Sequence, residues 1–488
     1  MLSLLLSIVI AADTVRLPPI PREFRGVWVA TVGNIDWPSK PGLSAAQSRE
    51  ELLTILDRAQ ALHLNAVIFQ VRPAGDALYV SQIEPWSAYL TGRQGVAPVP
   101  VWDPLAFAVQ EAHARGLELH AWFNPYRAKE TGYKGPLSPI HMARRWPGAA
   151  KRYGDLLWMD PGEEIVRQHT VKVILDVVKR YDIDGVHIDD YFYPYPHRNW
   201  RGDFVSFPDD ASYRKYERAG GSLERDAWRR NNVNLLVEAL HREIRAVKPW
   251  VKFGISPFGI WRPGEPEGVE GFDAYENLFA DARLWLREGW ADYFAPQLYW
   301  PINSPAQGYG DLLRWWGEQN VFQRHLWPGN FTSRAGTRPD WPSVELINQV
   351  IVTRADKTAT GNIHFSMKAL LTNQRGVADS LASRVYTSAA LIPASPWMPG
   401  QPPAAPPVRL VPDGDSRVLA CLGDTTPPPR WWVLRLQQSG AWTHRILPGA
   451  TKKIAIAGVG AADTVALSAV DRTGRESVAT IAGPASSC

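Results

Sequence analysis

The chain has 488 residues, enough for one barrel of about 250 residues or more together with a smaller module. Its 53 Lys and Arg residues nearly balance its 49 Asp and Glu residues, and the net charge of +4 does not call for a nucleic-acid partner. The 22 tryptophans are many for this length. Indole rings often stack on sugar rings, although most of these tryptophans are expected to fill the core.

The chain opens on an apolar run that ends at Ala12. This run is too short to cross a bilayer, which takes about 20 residues, so we expect no stable membrane span. It resembles the apolar region of an export signal, although no Lys or Arg precedes it. We therefore expect residues 1–20 to be an export signal and leader, and the protein to be periplasmic or otherwise exported.

Strand and helix patterns alternate along the next 370 residues or so. The predicted strands are 25–31, 65–73, 117–123, 185–190, 251–256, 293–299, 325–329 and 362–367, and the predicted helices are 44–63, 103–115, 163–181, 224–247 and 278–288. About eight β/α repeats favour a (β/α)8 TIM barrel over residues 21–391. No Gly-rich phosphate fingerprint follows the first strand, which argues against a dinucleotide-binding sheet.

The segments that follow strands are long and rich in Trp, Tyr, Pro and Gly, whereas those that follow helices are short. Residues 73–100, 124–161 and 191–221 are examples. Long loops on one face of a barrel build a cleft, as binding an extended polymer requires.

The composition changes at residues 392–407, where Pro and Ala dominate and predict a semi-rigid extended linker. Short alternating runs follow, and residues 408–488 are expected to form a small all-β sandwich. The run 464–477 resembles the last hairpin of a fibronectin type III module. In exported enzymes such a module usually serves as a spacer or attaches the enzyme to the envelope. Cys421 and Cys488 both lie in this part of the chain, and the sequence leaves their pairing open.

The stretch 184–194 combines a short β-branched strand with two acids and several aromatic residues at its exit. His187 and Asp189 share one face of this strand, because alternate residues of an extended chain point the same way. Polar side chains also follow the other predicted strands, where parallel strands of a barrel converge. The candidate site residues are Asp189 and Asp190 for catalysis and Gln70, Arg72, Asn124, Arg127, His187, Tyr191, Gln297 and Tyr299 for substrate binding.

Glycosidic cleavage needs an ionised carboxylate beside the reacting carbon and a protonated acid beside the leaving oxygen. We assign the first role to Asp189, as nucleophile or electrostatic stabiliser. Either Arg72 or Arg127 would keep it charged by lowering its pKa. A structural ion pair is an equally weighted alternative for each arginine.

The protonated acid is harder to place from the sequence. Asp190 is the nearest candidate, but adjacent residues do not easily lie on opposite sides of a scissile bond. Six acids in loops after strands remain open: Asp76, Glu265, Glu267, Glu270, Asp273 and Glu276. The strand histidines His120, His187, His325 and His364 show no ligand spacing, so neither a metal nor another cofactor is expected.

Several motifs together resemble glycosyl-hydrolase-like family 10, and the resemblance spans about residues 22–386. They are residues 24–31 (FRGVWVAT), 69–73 (FQVRP), 121–127 (AWFNPYR), 184–194 (DGVHIDDYFYP) and 295–300 (APQLYW). The resemblance implies a bacterial, exported barrel that cleaves peptidoglycan glycan strands stripped of their stem peptides. Such strands carry free lactyl carboxylates, which Arg72 and Arg127 would contact.

The fourth strand is also similar to that of the α-amylase-like glycosidases. There a Gly-Phe-Arg-x-Asp run delivers the nucleophile, and here His187 stands in place of the Arg while Asp189 matches the nucleophile. The end of the fifth strand offers Ser256 instead of a Glu, and Asn330 lies near the end of the seventh. This likeness therefore carries over no acid residue.

The sequence supports two functional hypotheses. The leading one is an exported glycoside hydrolase that acts on a cell-wall polysaccharide, with another exopolysaccharide as the alternative substrate. The other is a barrel that has lost catalysis and binds glycan through its aromatic cleft, and the missing acid motivates it.

Overall fold

The computed structural model describes residues 16–336, 341–413, 417–458 and 463–484. The strands of the first part are β1 (Phe24–Val29), β2 (Ala66–Arg72), β3 (Glu118–Phe123), β4 (Arg127–Lys129), β5 (Ala150–Tyr153), β6 (Leu156–Met159), β7 (Gly185–Ile188), β8 (Lys252–Ile255), β9 (Tyr293–Phe294), β10 (His325–Leu326), β11 (Gly329–Asn330) and β12 (Gly361–His364). The remaining strands are β13 (Val408–Pro412), β14 (Arg417–Leu422), β15 (Trp431–Gln438), β16 (Ala441–Pro448), β17 (Lys453–Ala457), β18 (Thr464–Val470), β19 (Thr480–Ile481) and β20 (Gly483–Pro484).

The α-helices lie mainly between the strands of the first part of the chain. They are α1 (Ala45–Ala61), α2 (Ala88–Thr91), α3 (Pro104–Ala114), α4 (Met142–Arg145), α5 (Glu164–Arg180), α6 (Asp210–Arg218), α7 (Arg225–Val247), α8 (Ala274–Asn277), α9 (Ala282–Arg287), α10 (Tyr309–Gln319), α11 (Ser343–Ala355), α12 (Met367–Leu371) and α13 (Val377–Arg384). None of the helices in the described part of the chain is long and apolar enough to cross a membrane.

The large sheet is parallel and runs in the order β10-β9-β8-β7-β3-β2-β1-β12-β11. β10 and β11 belong to one run of chain, residues 325–330, of which β10 pairs with β9 and β11 pairs with β12. This run closes the ring, so the nine segments make the eight strands of a closed barrel. The predicted (β/α)8 barrel is confirmed.

Local sequence signals account for the helix starts that frame the barrel. Ser44 caps α1 in a capping box with Gln47, and Asp103 caps α3, whose first residue is Pro104. The sixth strand is shorter than predicted, since only Tyr293 and Phe294 pair regularly. Beyond them the chain rejoins the sheet at Gln297, which forms isolated bridges with Phe258 on one side and Gly329 on the other.

Two apolar layers hold the barrel together. The larger one fills the space between the strands and the helices that surround them. The smaller one lies inside the ring, where the rings of Phe24 and Trp327 stack with centroids 3.6 Å apart and Tyr293 packs beside Trp327. The interior of the barrel is therefore filled by aromatic side chains rather than left open.

Strands β13 to β20 form two four-stranded sheets, ordered β17-β14-β13-β20 and β16-β15-β18-β19. Side chains from both sheets share one apolar core, for example Val408 and Ile456 from the first sheet and Trp432 and Leu467 from the second. The predicted all-β sandwich after the barrel is confirmed. Cys421 lies on β14, and Cys488 falls outside the described residues.

The sandwich contacts the barrel at the N-terminal end of β7. Arg430 donates to both carboxylate oxygens of Asp184 at 2.6 and 2.8 Å, and His113 Nε2 lies 2.8 Å from the same group. Burial alone would raise the pKa of Asp184, but the charges of Arg430 and His113 outweigh burial and hold it well below the usual range.

The segment predicted as an extended linker packs against the sandwich in its first part. Ile392, Ser395 and Met398 are buried, and the Ser395 backbone N–H donates to the Thr473 carbonyl at 2.8 Å. Residues 401–407 carry no regular structure. Of the predicted leader, residues 1–15 lie outside the described residues, and Ile20 packs on the apolar cluster between the barrel and the sandwich.

A substitution at Gly254 tests how the barrel interior is packed. A Cβ at this position of β8 would meet the ring of the fully buried Tyr293 at 1.9 Å. We expect Gly254→Ala to lower the free energy of unfolding by about 1–3 kcal/mol, because an overpacked core must shift its side chains. Urea denaturation followed by tryptophan fluorescence measures this loss.

The matched control is Gly310→Ala on α10, where the nearest atom is 3.7 Å from the added Cβ. Alanine is the better helix former by up to about 1 kcal/mol, so this variant should unfold at the same or a higher urea concentration. A Gly254→Ala protein as stable as the control would contradict the packing of Tyr293 on β8.

Candidate active site

A cavity of about 260 Å³ opens at the C-terminal ends of the barrel strands. Five aromatic rings contribute to its wall: Trp28, Trp122, Tyr191, Tyr299 and Phe365. Seven of the ten predicted site residues also line it: Gln70, Arg127, Asp189, Asp190, Tyr191, Gln297 and Tyr299. The other three, Arg72, Asn124 and His187, lie behind this wall.

Asp189 follows β7 and is held from three sides. Asn124 Nδ2 donates to both carboxylate oxygens at 2.8 and 2.7 Å, and Trp122 Nε1 donates to Oδ2 at 3.2 Å. The backbone N–H of Tyr191 donates to Oδ1 at 3.2 Å. Burial raises the pKa of Asp189, while the charge of Arg127 and these donors act in the opposite direction. The surroundings therefore fix the orientation of Asp189 and favour its ionised form over that of a bare buried acid.

The orientation of Asn124 is itself fixed by the neighbouring strands. Its Oδ1 accepts a hydrogen bond from Gln70 Nε2 at 2.6 Å. Gln70 Oε1 in turn accepts from the backbone N–H groups of Thr31 and Val32, each at 2.8 Å. Because backbone N–H groups can only donate, Gln70 must point its amide nitrogen at Asn124, and Asn124 must point its own at Asp189.

Asp190 is as deeply buried as Asp189 but is bonded differently. The Tyr195 hydroxyl donates to its Oδ2, and the Gln297 side chain also hydrogen-bonds the carboxyl group. Burial, followed by the negative charge of Asp189, raises the pKa of Asp190 to about 7. The pKa of both groups is therefore raised by burial, but the charge of Arg127 and the surrounding donors oppose the rise at Asp189, whereas Asp190 faces the negative charge of Asp189 and holds a proton near neutral pH. Such a difference marks base and acid roles in many enzymes.

Arg127 lies on the cavity wall with its guanidinium 4.3 Å from the ring centre of Tyr191. Its Nη1 donates to the Pro73 carbonyl at 3.3 Å, and its Nε makes no hydrogen bond to the described residues. The nearest carboxylate oxygen to this Nε, on Glu130, is 3.6 Å away. That Nε is enclosed by protein, so it is the guanidinium edge facing the cavity that keeps donor capacity for an anionic group of a ligand.

Arg72 is committed to the protein itself. Its Nε and Nη2 donate to the two oxygens of Glu84 at 2.7 and 2.5 Å, and its Nη1 donates to the Asn124 carbonyl at 2.5 Å. Burial opposes the ionisation of Glu84, but Arg72 outweighs it and lowers the pKa of Glu84 to about 2. Of the two roles that the sequence allows for Arg72, the geometry is that of the structural ion pair.

His187 is fully buried below the cavity and forms part of a hydrogen-bonded chain. Trp28 Nε1 donates to His187 Nε2 at 3.1 Å, so the proton of His187 resides on Nδ1, which lies 3.0 Å from the Tyr293 hydroxyl. That hydroxyl is 2.9 Å from His120 Nδ1, and His120 Nε2 is 2.9 Å from Glu118. Burial holds the pKa of His187 well below its usual value. The neutral imidazole thus orients the Trp28 ring and does not reach the cavity.

Three aromatic residues of the cavity wall were not singled out from the sequence: Trp28, Trp122 and Phe365. Tyr195, which bonds Asp190 from outside the wall, was not singled out either. Trp122 could have been found, since it precedes Asn124 by two residues and alternate residues of a strand share a face. The same rule applied to β1 places Trp28 inside the ring. Tyr195 belongs to a loop and Phe365 follows the last residue of β12, and no sequence period predicts where either ring lies.

The six loop acids that the sequence left open all lie away from this cavity in the described part of the chain. Asp273 caps α8 by accepting from the Glu276 backbone N–H at 2.9 Å, and Glu276 pairs with Arg230 at 2.9 Å. Nor do the described residues contain a group of three potential metal ligands. Asp190 is therefore the acid candidate that the geometry retains.

A larger cleft of about 730 Å³ lies between the barrel and the sandwich. Its lining includes His113 and Trp250, which precede β3 and β8, so it lies at the N-terminal ends of the strands. Arg430 and Arg472 in its wall are paired with Asp184 and Asp182, respectively. Catalytic residues of this fold sit at the opposite end, where the smaller cavity holds the two aspartates.

The commitment of Arg72 to Glu84 can be tested by stability. Arg72→Gln leaves a buried carboxylate without its bidentate partner, so the free energy of unfolding should fall by about 3–5 kcal/mol. Arg314→Gln is the control, because the Arg314–Asp311 pair is exposed and contributes about 0–1 kcal/mol. Equal urea midpoints for the two variants would show that the Arg72–Glu84 pair does not hold the barrel.

The chain is similar to several known proteins. The family model Glycosyl hydrolase-like 10 matches residues 23–334. The chain is 43% identical over 414 residues to glycosyl hydrolase YngK of Bacillus subtilis (strain 168), covering 83% of this chain and 79% of that protein. It is 38% identical over 318 residues to glycosyl hydrolase DigH of Escherichia coli (strain K12), covering 61% of this chain and 70% of that protein. The solved glycoside hydrolase domain of PgaB (BpsB) from Bordetella bronchiseptica aligns at a TM-score of 0.49 with 13% identity, over 74% of this chain and 98% of that chain. The chain belongs to the glycosyl hydrolase-like 10 family and is a glycosidase.

Proposed function

We propose that this glycosidase cleaves peptidoglycan glycan strands from which the stem peptides have been removed. The observation that carries the proposal is the buried pair Asp189 and Asp190 with the guanidinium of Arg127 on the same cavity wall. The pair supplies the carboxylate chemistry, and the arginine supplies a partner for an acidic sugar. No cofactor is required for this reaction.

Asp190 acts as the general acid. Its carboxyl group retains a proton up to about pH 7 and delivers that proton to the glycosidic oxygen as the bond to the sugar breaks. Once deprotonated, the same group removes a proton from the water that completes hydrolysis. The Tyr195 hydroxyl remains bonded to its Oδ2 and keeps the carboxyl group aligned.

Asp189 acts as the ionised partner. Positive charge develops on the sugar ring as the bond breaks, and a fixed carboxylate in a buried site stabilises that charge strongly. Asn124 and Trp122 hold the carboxylate in place, so little reorganisation is needed when the charge appears.

Arg127 supports an anionic substrate. Peptide-free strands carry a lactyl carboxylate on alternate sugars, and a guanidinium binds a carboxylate through two parallel hydrogen bonds. The residue belongs to β4, part of the small β4-β6-β5 sheet that follows β3. That insertion extends one side of the cleft, as a polymeric substrate requires.

The sequence also allows a glycan-binding barrel without catalysis and a glycosidase that acts on another exopolysaccharide. A barrel without catalysis was motivated by a missing acid, and the raised pKa of Asp190 together with membership in a family of glycosyl hydrolases supports catalysis instead. Another exopolysaccharide remains the competing substrate. A neutral polymer would leave the free donors of Arg127 without an acidic partner.

We also propose that the protein is exported to the periplasm or beyond, and that the sandwich attaches it to the envelope. The apolar start of the chain motivates export. N-terminal sequencing of the protein recovered from the periplasmic or secreted fraction tests this, since an uncleaved cytoplasmic protein would be incompatible with it.

Replacing either aspartate should stop turnover of peptide-free strands. We expect Asp189→Asn to lower kcat by at least about 10²–10³-fold and Asp190→Asn by about 10²–10⁴-fold, because each removes a charge or proton used in the transition state. New reducing ends measure the activity, and near-UV circular dichroism checks the fold. The exposed Asp155→Asn serves as the control and should keep full activity. Full activity of the Asp189→Asn protein would contradict the catalytic role of Asp189.

The pH profile tests the acid assignment separately. Because only the protonated form of Asp190 works as an acid, kcat should fall as the pH rises through about 7. Tyr195→Phe removes a donor that stabilises the carboxylate form, so the pKa of Asp190 should rise and the alkaline limb should move to higher pH. Tyr133→Phe, in a loop that does not line the cavity, is the control and should leave the alkaline limb at the same pH. A limb that moves to lower pH in Tyr195→Phe would contradict the role of Asp190.

A further inference from the structure

Asp189 and Asp190 are the only carboxylates on the cavity wall among the described residues. A glycosidase that relies on two carboxylates places them on either side of the scissile bond. The two carboxyl groups are about 5–5.5 Å apart in enzymes that retain the anomeric configuration and about 6.5–9.5 Å apart in enzymes that invert it. Adjacent residues at the end of one strand belong to the same wall and cannot flank the bond in this way. With Asp190 as the acid, the described part of the chain offers no carboxylate on the far side of the sugar.

The carboxylate of Asp189 is also poorly placed to attack C1 of the sugar as a nucleophile. The Asn124 amide spans both of its oxygens, Trp122 Nε1 takes one further lone pair and the Tyr191 backbone N–H takes another. A carboxylate offers about four such positions. These donors fill about four positions, so attack on C1 would require one of the bonds to be lost in a buried site. An N–H of a ligand could instead replace one of the two longest bonds, from Trp122 or from Tyr191 at 3.2 Å, and leave the carboxylate fully bonded.

The wall beside the pair is apolar and aromatic. The ring of Phe365 lies 6.1 Å from that of Trp28 and 6.0 Å from that of Tyr299, centre to centre. The indole N–H of Trp28 is bonded downward to His187, so Trp28 presents only its hydrocarbon ring to the cavity. A ligand group that combines a methyl with an N–H donor matches an apolar wall next to a carboxylate whose two longest bonds, at 3.2 Å, can be exchanged for a ligand N–H.

We propose that the nucleophile is the 2-acetamido group of the sugar being cleaved, with Asp189 accepting its N–H and the aromatic wall receiving its methyl group. This mechanism rests on the proposed glycan-cleaving function and narrows the substrate to 2-acetamido-2-deoxy sugars at the cleaved bond. Some glycosidases use a substrate group in place of the second carboxylate, so the chemistry is accessible to this fold. An intramolecular nucleophile also carries a large advantage in effective concentration.

The atoms balance in two steps. In the first, the acetamido carbonyl oxygen forms a bond to C1, the bond from C1 to the glycosidic oxygen breaks, and the Asp190 proton passes to that oxygen. The resulting oxazolinium ring is positively charged, and its N–H is held by the negative Asp189. In the second, water attacks C1 and gives a proton to Asp190, and the ring opens to restore the acetamide. The product keeps the anomeric configuration of the substrate, and no bond to the protein forms.

The test varies the acyl group of the substrate and leaves the full chain unchanged. Peptide-free strands are N-deacetylated, and one half is acylated again with acetyl and the other half with trifluoroacetyl groups. Fluorine makes the carbonyl oxygen a much weaker nucleophile, so the trifluoroacetyl strands should release reducing ends on the order of 100-fold more slowly than the reacetylated control. Similar rates for the two polymers would overturn the mechanism. No cleavage of native or reacetylated strands would overturn the proposed function along with it.

A second measurement tests the mechanism by changing the protein instead of the substrate. In Asp189→Ala, added azide would replace a protein nucleophile and give a glycosyl azide of inverted configuration. We expect no such product, because Asp189 does not attack carbon. Nuclear magnetic resonance of the wild-type reaction should show retention in the first product formed. An inverted glycosyl azide from the Asp189→Ala protein would show that Asp189 is the nucleophile. An inverted product from the wild-type protein would show that water attacks C1 directly.

Discussion

The burial of two adjacent carboxylates at the end of β7 is the constraint on which the rest of the site depends. Neither Asp189 nor Asp190 can be accommodated there as a bare ion, because desolvation disfavours its charge. The barrel responds differently at the two positions. Asp189 receives an amide, an indole and a backbone N–H, whereas Asp190 receives a tyrosine and keeps a raised pKa. One short strand thus delivers two chemically different acids.

The groups that orient Asp189 do not act alone. The amide direction of Asn124 is set by Gln70, which is set by two backbone N–H groups at the end of β1. Below the cavity, a further chain from Glu118 through His120, Tyr293 and His187 sets the Trp28 ring. Because every link in both chains has a defined donor, the site is ordered before a substrate arrives. Preorganisation of this kind reduces the cost of reorganisation during reaction.

β7 also connects the site with the rest of the molecule. The residue just before this strand, Asp184, holds Arg430 of the sandwich, and the two residues just after it are the two aspartates of the cavity. The sandwich is therefore fastened to the barrel end opposite the cavity, where it leaves the cleft open. The packed segment around Ser395 strengthens this attachment. A module in this position can bind a second surface without covering the site.

The sequence by itself determined the elements and the nature of the reaction centre. Periodicity and capping residues such as Ser44 gave the β/α alternation, since these signals are local, and the run 184–194 identified Asp189 through its place at a strand exit. Only the tertiary structure separated Arg127 from Arg72, because the pairing of Arg72 with Glu84 depends on how the irregular loop after β2 folds, which no local pattern predicts. It also made Asp190 the acid candidate, since a pKa depends on burial and on Tyr195 and Gln297, which different parts of the chain supply. Local patterns reveal which residues share a face, whereas charge, burial and partnership arise only when distant segments meet.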